Sequence, residues 1–161
     1  MSNVWVEGAR PKTLSAAILP VFLGTAAAFN ESFSILPAVL ALIVAFALQI
    51  GVNYANDYSD GIKGSDGESR SGPARLVGSG LVPPEKVLRA AIFMFTLSAA
   101  SGLWLSLIST LWLIPIGMVC ISAAWFYTGG SAPYGYKALG EVSVFIFFGL
   151  ATSMGLQIML L

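Results

Sequence analysis

Apolar runs of membrane-spanning length alternate with short polar joints along this chain. A bilayer core of roughly 30 Å takes about 20 mostly apolar residues per helix. On that measure five spans are expected. They run from about Leu14 to Phe29, Ile35 to about Tyr54, about Val87 to Ile108, Leu111 to Tyr127, and about Leu139 to Leu161. Pro20, Pro37 and Pro115 fall inside these runs and are expected to kink or start helices, which a packed bundle tolerates. The pattern predicts an all-α, polytopic transmembrane helix bundle forming a single domain over residues 1–161. The fifth run stops at Leu161 with no polar flank, so a C-terminal truncation is expected.

Composition strengthens the membrane reading. The 161 residues are 57% hydrophobic and only 10% charged, with a mean hydropathy of +0.82. Soluble domains carry about 25% charged residues. Net charge is zero and no basic stripe is present, which argues against a nucleic-acid partner. There is no histidine, so imidazole bases and histidine metal sites are excluded. The single cysteine, Cys120, cannot form an intrachain disulfide. The segment Met1 to Glu7 lacks the basic n-region and cleavage pattern of a signal peptide.

Charge also orients the spans. Arg10 and Lys12 precede the first; Lys63, Arg70, Arg75, Lys86 and Arg89 lie in or beside the long second connection; Lys137 lies in the fourth. The joints Asn30 to Ser34 and Ser109-Thr110 carry no Lys or Arg. The positive-inside rule then predicts a multi-pass cell-membrane protein whose N-terminus and long connection are cytoplasmic. Of the acids, only Glu31 falls on the other side.

The candidate chemistry starts where the second span ends, in Asn56-Asp57-Tyr58-Ser59-Asp60-Gly61-Ile62-Lys63-Gly64-Ser65-Asp66. Carboxylates at a membrane edge are costly to desolvate and usually mark a site. On a helix, Asp57 and Asp60 share a face with Cβ atoms roughly 5–6 Å apart, so both could reach one cation. Mg²⁺ takes one or two carboxylates plus substrate phosphate oxygens. Gly61 and Gly64 are expected to end the helix, with a loop returning Asp66 toward the site. Asn56 could add a neutral oxygen. Lys63, Arg70 and Arg75 follow; lysine meets phosphate as a point charge and arginine as a fork. A solvated cytoplasmic loop would explain the same charges without chemistry.

A second polar stretch runs from Trp125 to Glu141, through Tyr127-Thr128-Gly129-Gly130 and Tyr134-Gly135-Tyr136-Lys137. Its tyrosines could be interfacial anchors. Alternatively, the glycines and Pro133 shape a cap, with Tyr127, Tyr136 and Lys137 lining a substrate cavity. Arg10-Pro11-Lys12-Thr13 could likewise be an anchor, or could meet an anionic acceptor at the cytoplasmic mouth.

These segments resemble the UbiA-type intramembrane prenyltransferases, and within them the 1,4-dihydroxy-2-naphthoate polyprenyltransferase branch. Three stretches carry the resemblance: Ala9 to Thr13; Asn56 to Asp66 continuing through Arg70-Ser71-Gly72-Pro73 and Gly78 to Val82; and Tyr127 to Gly130 with Gly135 to Glu141. The resemblance implies about nine helices around a lipid-accessible cavity, with two Asp-rich motifs holding Mg²⁺ and a polyprenyl diphosphate. Asn56, Asp57, Asp60 and Asp66 match the first motif; the second belongs beyond the fifth helix. It thus implies the first half of an enzyme of menaquinone synthesis, needing a complementing C-terminal half. By this reading Asp57, Asp60 and Asp66 hold metal, Lys63 assists diphosphate departure, and Asn56, Arg10, Lys12, Arg70, Arg75, Tyr127, Tyr136 and Lys137 contact substrate.

Other readings stay open: an inactive truncated chain, one subunit of a split enzyme, or another UbiA-type aromatic prenyltransferase. A CDP-alcohol phosphotransferase would need an Ala-Arg pair shortly after Gly61, where Lys63-Gly64 stands instead.

Overall fold

A computed structural model describes residues 3–32, 34–64, 75–130 and 133–137. Among them every regular element is helical: α1 (Val4–Ala9), α2 (Pro11–Ser32), α3 (Ile35–Ile62), α4 (Pro84–Ile108), α5 (Leu113–Phe126) and a 3₁₀ turn (Tyr134–Lys137). The expected fifth span, with Glu141, lies outside the described residues.

The first two helices are separated by one residue. Asn3 caps α1, its side chain accepting the Trp5 N–H at 3.0 Å. Arg10 then takes a left-handed conformation, φ 54°. It is the one non-glycine with positive φ among the described residues, and such a residue costs roughly 1–2 kcal/mol. Pro11 follows at the first position of α2, where its missing N–H costs nothing. The short α1 escaped the hydropathy pattern because six residues cannot make a periodic signal.

Helix α3 is longer than the expected second span. At 1.5 Å per residue its 28 residues reach about 42 Å. A bilayer core of roughly 30 Å would be crossed by about Tyr54, and the last two turns carry Asn56, Asp57 and Asp60 beyond it without a break. The helix ends at Ile62, and Gly64 turns the chain at φ 69°. Pro83 and Pro84 start α4, with Glu85 in its first turn. Pro115 sits in the first turn of α5, where proline is tolerated. Among the described residues, α3 and α4 are long and apolar enough to cross a membrane, while α5 has 14 residues, fewer than the span expected there.

From α2 to α5 the helices alternate in direction, since Thr13 meets Gln49, Gly51 meets Phe95 and Phe95 meets Trp125. One end of the bundle therefore collects residues 3–13, the end of α3, the 75–83 turn and the 127–135 segment. A core cluster lies near this end, built on Tyr54, Ala55, Leu76, Val87, Ala91 and Phe95. A second, with Ala17, Val21, Leu40, Ala45 and Leu105, lies toward the other. The α3–α4 contact is close because small residues line it. The Phe95 ring passes over Gly51, and the Ser98 hydroxyl donates to the Val44 carbonyl at 3.1 Å. The outward faces carry large apolar side chains, among them Phe22, Leu23, Phe93, Leu107 and Met118. A bundle with polar groups inside and apolar ones outside suits lipid as its surroundings.

Candidate active site

Along α3 five polar side chains form one stripe. Gln49, Asn53, Asn56, Asp60 and Lys63 follow each other at spacings of four and three residues. The upper part of the stripe borders a cavity of about 400 Å³ between α1–α2, α3, α5 and the 127–135 segment, a volume in the ~300–1,000 Å³ range of small-molecule pockets. Arg10, Lys12, Gln49, Asn53, Asn56, Tyr127 and Tyr134 give it polar groups, and Leu48, Val52 and Ala124 give it apolar wall.

The floor of this cavity is a buried hydrogen-bond network. Asn53, 2% exposed, donates to the Ala9 carbonyl at 2.8 Å and to Thr13 Oγ1 at 3.1 Å. Gln49 Nε2 reaches Thr13 Oγ1 and Asn53 Oδ1 at 3.3 and 3.4 Å. The Thr13 hydroxyl donates to the Arg10 carbonyl at 3.0 Å. This network fixes the Arg10–Pro11 corner against α3. Tyr54 adds a second tie, its hydroxyl donating to the Trp5 carbonyl at 2.9 Å.

The two acids of α3 do different things. Asp57 is 1% exposed and lies about 100° around the helix from Asn56. Its oxygens accept the consecutive backbone N–H groups of Leu76 and Val77 at 3.0 and 3.2 Å. The turn so held packs Leu76 over Gly8 and Val77 over Gly61, where any Cβ would meet side-chain carbons within 2.5 Å. Asp60 continues the cavity stripe, and Arg75 Nη2 stands 3.9 Å from its Oδ2.

Lys63, expected to meet the diphosphate, reaches across to the 127–135 segment. Its ammonium donates to the Thr128 carbonyl at 2.6 Å and lies 3.4 Å from that of Gly130. The Thr128 hydroxyl in turn donates to Asn56 Oδ1 at 2.6 Å. Tyr127 and Tyr134 meet edge-to-face at 5.4 Å, and the Tyr134 hydroxyl donates to the Ala123 carbonyl at 2.8 Å.

Of the residues singled out from sequence, Arg10, Lys12, Asn56 and Tyr127 come together around the cavity. Asp57, Asp60, Lys63 and Arg75 gather at the end of α3. Asp66 and Arg70 lie outside the described residues, as do the side chains of Tyr136 and Lys137. Thr13, Gln49, Asn53, Thr128 and Tyr134 were not singled out as site residues. The amides could have been found: Gln49, Asn53 and Asn56 repeat at helical spacing in an otherwise apolar run. No such signal marks Thr128.

The 1,4-dihydroxy-2-naphthoate octaprenyltransferase of Mycobacterium tuberculosis is 56% identical over 154 residues, covering 95% of this chain and 52% of that protein. The protein of the same name from Escherichia coli is 42% identical over 161 residues, covering 96% and 52%. The UbiA prenyltransferase domain-containing protein 1 of Gallus gallus is 32% identical over 150 residues, covering 90% and 44%. The chain thus spans about half the length of the curated relatives it matches. No solved structure gives a significant match. The UbiA prenyltransferase family matches residues 17–159, taking in α3, α4, α5 and the polar end they build. On that match, and on a helical membrane bundle with Asp57 and Asp60 at one end, the chain belongs to the UbiA prenyltransferase family.

Proposed function

We propose that this chain supplies the N-terminal part of a 1,4-dihydroxy-2-naphthoate polyprenyltransferase, acting in menaquinone synthesis. The reaction moves a polyprenyl group from its diphosphate to the naphthoate ring, with release of CO₂. The observation that carries the reading is the cavity itself: amides, two cations and two tyrosines face an apolar wall, one turn from Asp60. Relatives bearing that enzyme's name support the choice of acceptor.

The donors at this end are hard oxygens from carboxylates and an amide, the set that Mg²⁺ prefers. Asp60 would hold the ion, with Asn56 beside it on the stripe and Asp66 from the loop beyond. Asp57 would contribute through the turn it holds, with any remaining lone pairs available to metal. Bound Mg²⁺ supplies neutralisation of the charge that develops on a departing diphosphate. Arg10 and Lys12 add positive potential at the mouth of the cavity.

The chain's residues then shape the bond changes. The C–O bond to diphosphate breaks, its electron pair leaving with the diphosphate. The allylic carbon bonds to the ring carbon bearing the carboxylate, and the C–CO₂ bond breaks with its pair returned to the ring. Leu48, Val52 and Ala124 keep water from the cation. Tyr127 and Tyr134, packed edge-to-face on the cavity wall, offer an aromatic surface to the acceptor ring and so mark the acceptor end of the cavity. The long isoprenoid tail fits the apolar outer surface of the bundle, and the polar end is cytoplasmic by the charge rule. The one domain of residues 1–161 works with a complementing C-terminal half that brings the second Asp-rich motif.

The test is prenyl transfer in membranes containing this chain, alone and with a polypeptide carrying the C-terminal half of a relative. 1,4-Dihydroxy-2-naphthoate and 4-hydroxybenzoate are compared as acceptors. A decarboxylated prenyl naphthoquinol from the first acceptor is the expected product. Transfer to 4-hydroxybenzoate instead would assign the chain to another aromatic branch. No product from either acceptor in either preparation would refute the reading.

A further inference from the structure

The cavity wall nearest the acids is not one continuous element. It is a seam between α3 and the 127–135 segment, and the two sides are far apart in sequence. Asn56 and Lys63, two helical turns apart on the stripe, both reach the same residue across the seam. Thr128 receives the Lys63 ammonium on its backbone carbonyl at 2.6 Å and gives its hydroxyl proton to Asn56 Oδ1 at 2.6 Å. It is 4% exposed, so its hydroxyl has little water to turn to.

Both residues after Thr128 need to be glycine. A Cβ at Gly129 would stand 2.6 Å from the Trp125 carbonyl oxygen, and Gly130 has φ 77°. The Gly135 N–H donates to the Tyr127 carbonyl at 2.8 Å, drawing the two ends of the segment together. Within it the Tyr127 and Tyr134 rings pack edge-to-face and line the cavity. Tyr127 and Tyr134 are thus tied to one another, and Thr128, next to Tyr127, is bonded to α3 through Asn56 and Lys63.

We propose that Thr128 is a positioning residue: its hydroxyl bond to Asn56 sets the loop so that Tyr127 and Tyr134 face the acceptor end of the cavity. The proposal rests on the reaction proposed above. It assigns Lys63 to the same seat, as the charged anchor of the loop carbonyls. Thr128 touches the cavity wall only through its neighbours. Its loss should therefore change acceptor affinity while leaving the bond-breaking step nearly intact.

Two substitutions separate this from a general packing role. Thr128→Val keeps the shape and the carbonyl that Lys63 holds but removes the hydroxyl. Thr128→Ser keeps the hydroxyl. Hydrogen exchange of the 127–135 amides reads the seat without any substrate, and steady-state transfer in the complemented enzyme reads its consequence. Thr128→Val is expected to speed exchange in the loop and raise KM for the naphthoate about tenfold, the scale of one buried hydrogen bond, with kcat within about twofold. Thr128→Ser is expected to restore both. Unchanged exchange in Thr128→Val would overturn the seat. Faster exchange with unchanged KM, or an equal fall in kcat, would overturn the positioning role. If the unaltered enzyme transfers no prenyl group, the reaction reading fails, and exchange still decides whether Thr128 seats the loop.

Discussion

Asp57 and Leu76, nineteen residues apart, are joined by a bond from the Leu76 backbone N–H to the Asp57 carboxylate at 3.0 Å, and the next N–H, of Val77, completes the pair. A carboxylate facing two consecutive backbone donors is a fixed anchor for a turn. The acid expected from sequence to hold metal thus fixes the turn at Leu76 and Val77 against α3. Asp57→Asn should place an amide NH₂ against one of those donors. Hydrogen bonds to charged groups contribute about 1.5–3 kcal/mol each, so a loss of roughly 2 kcal/mol in stability is expected. Faster hydrogen exchange at Leu76 and Val77 would accompany it; exchange at the unaltered rate would contradict the anchor.

Gly61→Ala should destabilise although alanine is the better helix former. The new methyl would meet Val77 Cγ1 at 2.3 Å, and overpacking of this kind costs about 1–3 kcal/mol, against about 1 kcal/mol gained in helix propensity. Gly117→Ala is the control, since nothing lies within 4 Å of its added carbon. Thermal unfolding in detergent should show Gly61→Ala below the unaltered protein and Gly117→Ala at or above it. The reverse order would mean that the 75–80 turn does not pack on α3.

Asn53→Ala removes the donor to the Ala9 carbonyl and to Thr13 from a site 2% exposed. Leaving such buried partners unsatisfied costs about 1–3 kcal/mol. The Arg10–Pro11 corner should loosen, which proteolysis near residue 10 would detect. Cleavage equal to that of the unaltered protein would show that the corner is held by other contacts.

How far the sequence carried this picture differs between helices and site. Hydropathy placed the bodies of α2 to α5 because a membrane-length apolar run has few other uses. It missed α1, which is set by an Asn3 cap and tertiary ties from Tyr54 and Asn53. Helical spacing put Asp57 and Asp60 near one another, and the unbroken α3 keeps them so. It could not show that Asp57 turns toward Leu76 and Val77, because those partners arrive from beyond a long connection. Nor could it show the carbonyl partners of Lys63, on Thr128 and Gly130, which lie 65 and 67 residues away.

Topology gives a separate test. Ser79 and Ser109 are exposed at opposite ends of the bundle. Cysteines placed there singly, with Cys120→Ser as background, should label from opposite sides of the membrane, the Ser79 position from the cytoplasm. Labelling from one side only would overturn the orientation.

The central claim is that this polar end holds a metal-bound prenyl diphosphate through Asp60. Its most direct measurement is equilibrium binding of a non-hydrolysable prenyl thiodiphosphate to the complemented protein, with and without Mg²⁺, in the unaltered and Asp60→Asn forms. The account predicts Mg²⁺-dependent binding that Asp60→Asn weakens at least about tenfold, the loss of roughly one charged contact. Binding that is indifferent to Mg²⁺, or equal in Asp60→Asn, would contradict it.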